Sequence, residues 1–247
     1  MNSNIDVIKC KDIDEISRRA AFLVAETIHR NPRCILGLAT GSSPVGMYQT
    51  LVKLHEGGTL DFSKVRSFNL DEYYPIQPED PQSYRYFMNT NLFDHINIDP
   101  ANTHVPLGDA EDPEKFCQAY DLMIDAYGGI DLQVLGIGNN GHIAFNEPDD
   151  HFPAGTHVVD LQESTIKANS RFFASEADVP RKAITMGIGS IMKARRIILL
   201  ANGAAKAEAV KACVEGPITP ACPASALQLH PDVTLFVDEA AASLLSK

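Results

Sequence analysis

Two hydrophobic periods alternate along the chain. In DEISRRAAFLVAETIHR (14–30), Ile16, Ala20, Leu23, Val24 and Ile28 recur at helical spacing and form one apolar face. CILGLA (34–39) then runs without a polar break, as a strand buried on both faces does. VGMYQTLVKL (45–54) predicts a helix stopped by Gly57-Gly58, and VRSFNL (65–70) a second strand. SYRYFMNTNLFDHI (83–96) and EKFCQAYDLMIDAYGG (114–129) predict helices, and LQVLGIG (132–138) a strand. RKAITMGIGSIMKA (181–194) predicts a short strand or loop and then a helix, RIILLA (196–201) a strand, and AKAEAVKACVEG (205–216) a helix. VTLFVD (233–238) predicts a last strand, with a short helix after it. Helices alternating with short apolar strands imply a mostly parallel, Rossmann-like sheet covered on both faces. The expectation is one three-layer α/β/α domain over residues 1–247.

Ligands of open parallel sheets bind beyond the carboxyl ends of the strands. At each of those ends this chain places small, polar or titratable residues. Thr40-Gly41-Ser42-Ser43 comes after CILGLA, and Asp71-Glu72 after VRSFNL. Asn139, Asn140, Gly141, His142 and then Glu147 come after LQVLGIG, and Asn202, Gly203 and Lys206 after RIILLA. The stretch GIGNNG (136–141) also spells G-x-G-x-x-G, which in a dinucleotide site opens a long helix. Pro148 stands seven residues after Gly141, and a proline inside a helix costs about 3 kcal/mol. The glycines are therefore read as a tight turn and a close backbone approach to a small substrate.

Charge narrows the partners. A net charge of −11 argues against nucleic acid, whose phosphates need concentrated Lys and Arg, but leaves room for a small phosphate held by local donors. The N-terminus is polar, and no apolar run approaches the roughly 20 residues that span a bilayer. Cys10, Cys34, Cys117, Cys213 and Cys222 are odd in number, scattered and without a C-x-x-C pair. That pattern suits reduced thiols in a cytoplasmic protein better than disulfides or a zinc site.

Each candidate residue has a plain structural alternative. Thr40-Gly41-Ser42-Ser43-Pro44 offers hydroxyls and helix-start N–H groups to an anion, or Ser43 simply caps the helix. It lacks the G-K-[ST] ending of a Walker A loop. Asp71 at a strand end suits a general base, or Asp71 and Glu72 form a turn or a helix cap. His142 alone reads as a structural histidine, and Glu147 nearby is the carboxylate that would fix its tautomer. Arg171 and Lys206 suit a phosphate, or are surface charges.

Together, LGLATGSSP, FNLDEY, GIGNNGHIAFNEP, ANSRFF and SALQLHP resemble, in order and from residue 36 to residue 231, the glucosamine-6-phosphate deaminase family. GHIAFNEP is the most specific of these segments. The resemblance implies conversion of glucosamine 6-phosphate and water to fructose 6-phosphate and ammonia, with no metal or organic cofactor. It places the chain among the hydrolases, acting on an amino-sugar phosphate. It implies Asp71 as the base that shuttles the C2 proton, His142 as the ring-opening catalyst and Glu147 as its partner. Thr40, Gly41, Ser42, Ser43, Arg171 and Lys206 match the sugar-phosphate site, and a lid is expected within 149–185. Asn140 departs from members that have aspartate there, and is expected to orient by hydrogen bonding in the His142 relay. DDHFPAGTHVVDL (149–161) carries no Lys or Arg, and the chain stops at Lys247, as in the shorter members. No activation by N-acetylglucosamine 6-phosphate is therefore expected. A monomer or small homo-oligomer is implied. The rival readings are a 6-phosphogluconolactonase-like hydrolase and a non-catalytic sugar-phosphate sensor.

Overall fold

The apolar runs become strands, described by a computed structural model over residues 4–163, 166, 167, 173, 175 and 178–246. In chain order the strands are β1 (Ile5–Cys10), β2 (Ile35–Leu38), β3 (Arg66–Asn69), β4 (Asp71–Tyr74), β5 (Thr103–His104), β6 (Leu132–Gly136), β7 (His157–Asp160), β8 (Lys182–Thr185), β9 (Ile197–Ala201) and β10 (Val233–Asp238). The helices are α1 (Ile13–Arg30), α2 (Val45–Glu56), α3 (Tyr84–Asn91), α4 (Pro113–Ala126), α5 (Ile188–Met192) and α6 (Ala207–Glu215). Seven strands form a parallel sheet in the order β1-β10-β9-β6-β2-β3-β5, flanked by helices, so the α/β class expected from the sequence is the one observed. Every residue of β2 and β9 is buried, as central parallel strands require.

Local signals set the helix starts. Asp12 caps α1 by accepting from Glu15 N, and Asp112 caps α4 by accepting from Lys115 N, with Pro113 in the first turn. Ile16, Ala20, Val24 and Ile28 of α1 are buried, while Leu23 is half-buried.

The structure adds elements that the hydrophobic pattern did not give. β1 (IDVIKC) is an edge strand whose Asp6 and Lys9 are exposed, so it carries no all-apolar signature. β4, β8 and β7 form a separate antiparallel sheet. A second apolar cluster packs on it, including Tyr73, Phe145, Leu161 and Ala183. The short helix expected after VTLFVD is not formed: residues 239–244 are turns, and the Asp238 carboxylate takes the Ala241 N–H as a tight turn does. Among the described residues no helix is long and apolar enough to cross a membrane.

The topology selects the site. From β2 the chain moves outward through α2 to β3, whereas from β6 it continues to β9 on the opposite side. The crevice between the carboxyl ends of β2 and β6 is thus the switch point of the sheet, where ligands of such folds bind.

Candidate active site

Loops from four strand ends meet over that crevice. Thr40, Gly41, Ser42 and Ser43 after β2, Asp71 at the start of β4, Asn140 and His142 after β6, and Lys206 after β9 line one cavity of about 690 Å³. Glu147 sits behind His142 and touches it from the protein side. Arg171 lies outside the described residues, as does part of the segment 149–185 in which a lid is expected.

Asp71 forms one wall. The strand passes directly from β3 through Leu70 into β4, so this carboxylate is delivered at the sheet edge by a buried backbone. Burial, and then the neighbouring Glu72 charge, push Asp71 up to about 8, while a hydrogen bond with Thr40 pulls the other way. A carboxyl in that range exchanges protons near neutral pH, as a general base must. Glu72, one residue on, points to the opposite side of the strand and is absent from the cavity lining. It accepts the backbone N–H groups of Tyr84 and Arg85 at 2.8 and 2.9 Å. The helix-cap reading thus holds for Glu72 and fails for Asp71.

His142 lines the same cavity. Its Nδ1 lies 3.2 Å from Glu147 Oε2, and Asn140 Nδ2 donates to the same oxygen at 2.6 Å. Asn140 Oδ1 in turn accepts from His142 N at 3.2 Å. A carboxylate only accepts, so the contact selects the tautomer of the neutral imidazole in which Nδ1 carries the proton and Nε2 is the acceptor. The Glu147 side chain is 7% exposed and that of His142 29%, so the pair is buried on one side and open on the cavity side.

The loop that carries this pair is pinned at several points. Gly138 N donates to His142 O, and Asn146 Nδ2 donates to Ile143 O and Met186 O. Phe145 N donates to Thr185 Oγ1 of β8. GIGNNG therefore opens a turn, closed by Gly141 N to Gly138 O, and the next regular element is strand β7 rather than a helix. Within the loop Ala144 has φ 53°, a left-handed conformation that its Cβ disfavours. Ala144→Gly is expected to raise stability by about 1 kcal/mol, the relieved strain exceeding the added chain entropy. A denaturant titration checks this, and a loss of stability would show that the Ala144 methyl packs usefully.

The third side is built for an anion. Helix α2 starts with Pro44 at its cap position and no side-chain cap, so Ser43 does not cap it. Its hydroxyl and the free helix-start N–H groups remain for a ligand. Gly41 has φ 86°, which turns the chain sharply between Thr40 and Ser42. Lys206, on the same lining, is half-buried, and burial lowers the pKa of its ammonium from the usual range. Its loop turns at Gly203 (φ 84°), whose N–H is held by both carboxylate oxygens of Asp238 at 3.0 and 2.9 Å.

Asn202, expected at the end of β9, lines the cavity too, as do Tyr84 and Phe145, which sequence reasoning did not single out for it. Tyr84 opens α3 instead of standing at a strand end, so position along the chain gave no hint of it. The five cysteines are free and buried. Among the described residues one group has metal-ligand geometry, Asp149, Asp150 and His151, and it is exposed and not part of the cavity lining.

Known proteins share both this fold and long stretches of this sequence. A glucosamine-6-phosphate deaminase of Clostridioides difficile (strain 630) is 59% identical over 97% of this chain and 96% of its own length. One of Halothermothrix orenii is 58% identical over 94% and 96%. A solved structure described as a monomeric glucosamine-6-phosphate deaminase superposes with a TM-score of 0.95 at 47% identity, covering 97% of this chain and all of that one. The 6-phosphogluconolactonase of Trypanosoma brucei shares the fold, with a TM-score of 0.77 at 19% identity. The names of these relatives overturn the expected class of hydrolase: they describe a deaminase, within a family whose first-named members are isomerases. The model of the family described as glucosamine-6-phosphate isomerases/6-phosphogluconolactonase matches residues 11–236, and the chain belongs to that family.

Proposed function

We propose that this protein isomerises and deaminates glucosamine 6-phosphate, giving fructose 6-phosphate and ammonia. One observation carries the reading: a buried carboxylate with raised basicity and a carboxylate-oriented imidazole face one cavity that also holds an uncapped helix start and a lysine. The substrate's phosphate binds Thr40, Gly41, Ser42 and Ser43 with Lys206, and Arg171 is assigned to the same end. His142, through Nε2, takes the C1 hydroxyl proton and returns it to the ring oxygen, which opens the sugar. Asp71 then removes the C2 proton and delivers it to C1. The C1 oxygen takes a proton from the C2 ammonium, C2 becomes an iminium, and water adds there and expels ammonia, leaving the C2 ketone. The chemistry is an aldose–ketose isomerisation joined to loss of an amine. Glu147 fixes the imidazole tautomer, and Asn140 holds Glu147 in place.

The lactonase alternative rests on likenesses of 17–22% identity, which carry fold alone, while the relatives near 59% bear the deaminase name. The reading keeps a cytoplasmic enzyme that acts as a monomer or small homo-oligomer, with a lid over the site within 149–185. Incubation of the purified protein with glucosamine 6-phosphate, without added metal, tests it. Ammonia and fructose 6-phosphate are expected in equal amounts. Folded protein that forms neither would end the proposal. Asn140→Ala is expected to cost about tenfold or more in kcat through lost orientation of the pair. Unchanged kcat would remove Asn140 from the relay.

A further inference from the structure

Glu72 is the neighbour of the cavity carboxylate in sequence yet serves the other face of the strand. Its side chain is buried, the residue being 1% exposed, a costly place for a carboxylate without partners. The partners are backbone donors: Tyr73 N at 2.9 Å, Tyr84 N at 2.8 Å and Arg85 N at 2.9 Å. Ser83 Oγ takes the next helix donor, Tyr86 N, at 3.0 Å. The opening N–H groups of α3 are thus satisfied by two side chains, and one of these reaches across from the strand that carries Asp71.

That strap also shapes the cavity. Tyr84, the first residue of α3, lines the cavity with its ring parallel to Phe145 (8°, 6.1 Å) and close to Tyr73 (4.8 Å). Asp71 and Tyr84 are therefore presented by two elements joined through the Glu72 carboxylate. Resting on the deaminase reading, we propose that Glu72 is a positioning residue: it locks Asp71 and Tyr84 into one rigid cavity wall and sets a second buried carboxylate next to the base.

The charged surroundings support the second half. Glu72 is the charge that raises Asp71 after burial itself, and Thr40 is the group that opposes it. The phenols of Tyr48, Tyr84 and Tyr120 also feel Asp71. On β8, Thr185 and Ile184 stand opposite Asp71 and Glu72, and neither is charged. The guanidinium that acts on Glu72 is that of Arg85, whose Nη atoms are engaged by Thr103 Oγ1 and O at 2.9 Å. Glu72 itself is pushed up to about 7 by burial, against its three N–H donors. The two carboxyls therefore titrate as a coupled pair, and removing the charge of one moves the titration of the other.

The test compares Glu72→Gln and Glu72→Asp with the wild type. Gln keeps a carbonyl acceptor for Tyr73 N and Tyr84 N but removes the charge and the acceptor for Arg85 N. The acid-side midpoint of kcat/KM is expected to fall by about half a unit or more in Glu72→Gln, as loss of a neighbouring negative charge requires. Its plateau kcat is expected to drop by about threefold or more, because a base weaker by half a unit transfers protons up to about threefold more slowly and the strap loses one acceptor, with KM little changed. A folded Glu72→Gln whose midpoint stays at the wild-type pH overturns the proposal. Glu72→Asp keeps the charge but is one methylene too short for the strap. It is expected to hold the wild-type midpoint while losing kcat, and wild-type kcat in this variant overturns the positioning role even if the Gln variant does not fold. The Asp71 carboxyl carbon, observed by NMR and assigned with Asp71→Asn, reports the same midpoint without turnover. An inactive wild type would sink the deaminase reading, while the NMR titration would still decide the role of Glu72.

Discussion

Asp71→Asn is expected to lower kcat for fructose 6-phosphate formation by about 10²–10⁴-fold, the usual contribution of a positioned general base. The same change is expected to make the fold more stable at neutral and alkaline pH. The folded chain holds the Asp71 proton far more tightly than the unfolded chain does, at about 8 against 3.8. Between those values the native state binds the extra proton, so wild-type stability falls as pH rises from about 4 and levels off above about 8. Asparagine carries no such proton and has no such slope. Melting temperatures at pH 5 and pH 8.5 should therefore separate in favour of the variant as pH rises. A gap that did not change with pH would mean that Asp71 is not strained by burial. The pairing of lost activity with gained stability would distinguish Asp71 from a residue that merely supports the fold.

Substrate should ease that strain. Glucosamine 6-phosphate carries its amine on the carbon whose proton Asp71 is proposed to take, and a nearby ammonium favours the ionised carboxylate. The acid-side midpoint of kcat, which reports the bound enzyme, should then lie below that of kcat/KM, which reports the free one. Burial alone makes a poor base at pH 7 from a carboxyl near 8. Burial with the substrate's ammonium beside it makes a good one, ionised only where it is needed.

The parts of this protein that were legible in sequence share a physical property: they are periodic or abrupt. β2, β6, β9 and β10 are all-apolar or nearly so because both faces are covered, and each ends at a sharp change to small or polar residues. The sheet edge that collects Thr40, Asp71, His142 and Lys206 could be inferred from those changes alone. The small sheet of β4, β7 and β8 could not, because DEYY and HVVD mix polar and apolar residues, and their pairing is long-range. Nor could the division of labour between Asp71 and Glu72. Adjacent residues on a strand face opposite ways, and which way each faces depends on the register with β8. Tyr84 was hidden for the same reason, since the contact that brings it to the cavity runs through Glu72, twelve residues away.

The loop holding His142 predicts a second large effect. Gly138→Ala is expected to reduce kcat by about 10²-fold or more without unfolding the protein, the scale of a catalytic group misplaced by an ångström. A Cβ at residue 138 would lie 2.3 Å from His142 Cε1 and 2.4 Å from both ring nitrogens. The ring lies against that glycine and cannot slide aside cheaply, because Nδ1 is bound to Glu147 and the backbone carbonyl of His142 is tied to Gly138 N. Moving the imidazole breaks the bond that sets its tautomer, so the variant loses both the place and the protonation pattern of the ring. The neighbouring Gly136 provides the contrast, since a Cβ there would meet only Ser43 Oγ, at 4.0 Å. Gly136→Ala should therefore leave the imidazole in place and cost far less in kcat, with any effect appearing in KM at the phosphate end. Circular dichroism of both variants, with kcat and KM measured separately, checks the pair. Equal kcat losses at the two positions would mean that glycine is needed there for backbone freedom and not for room beside His142.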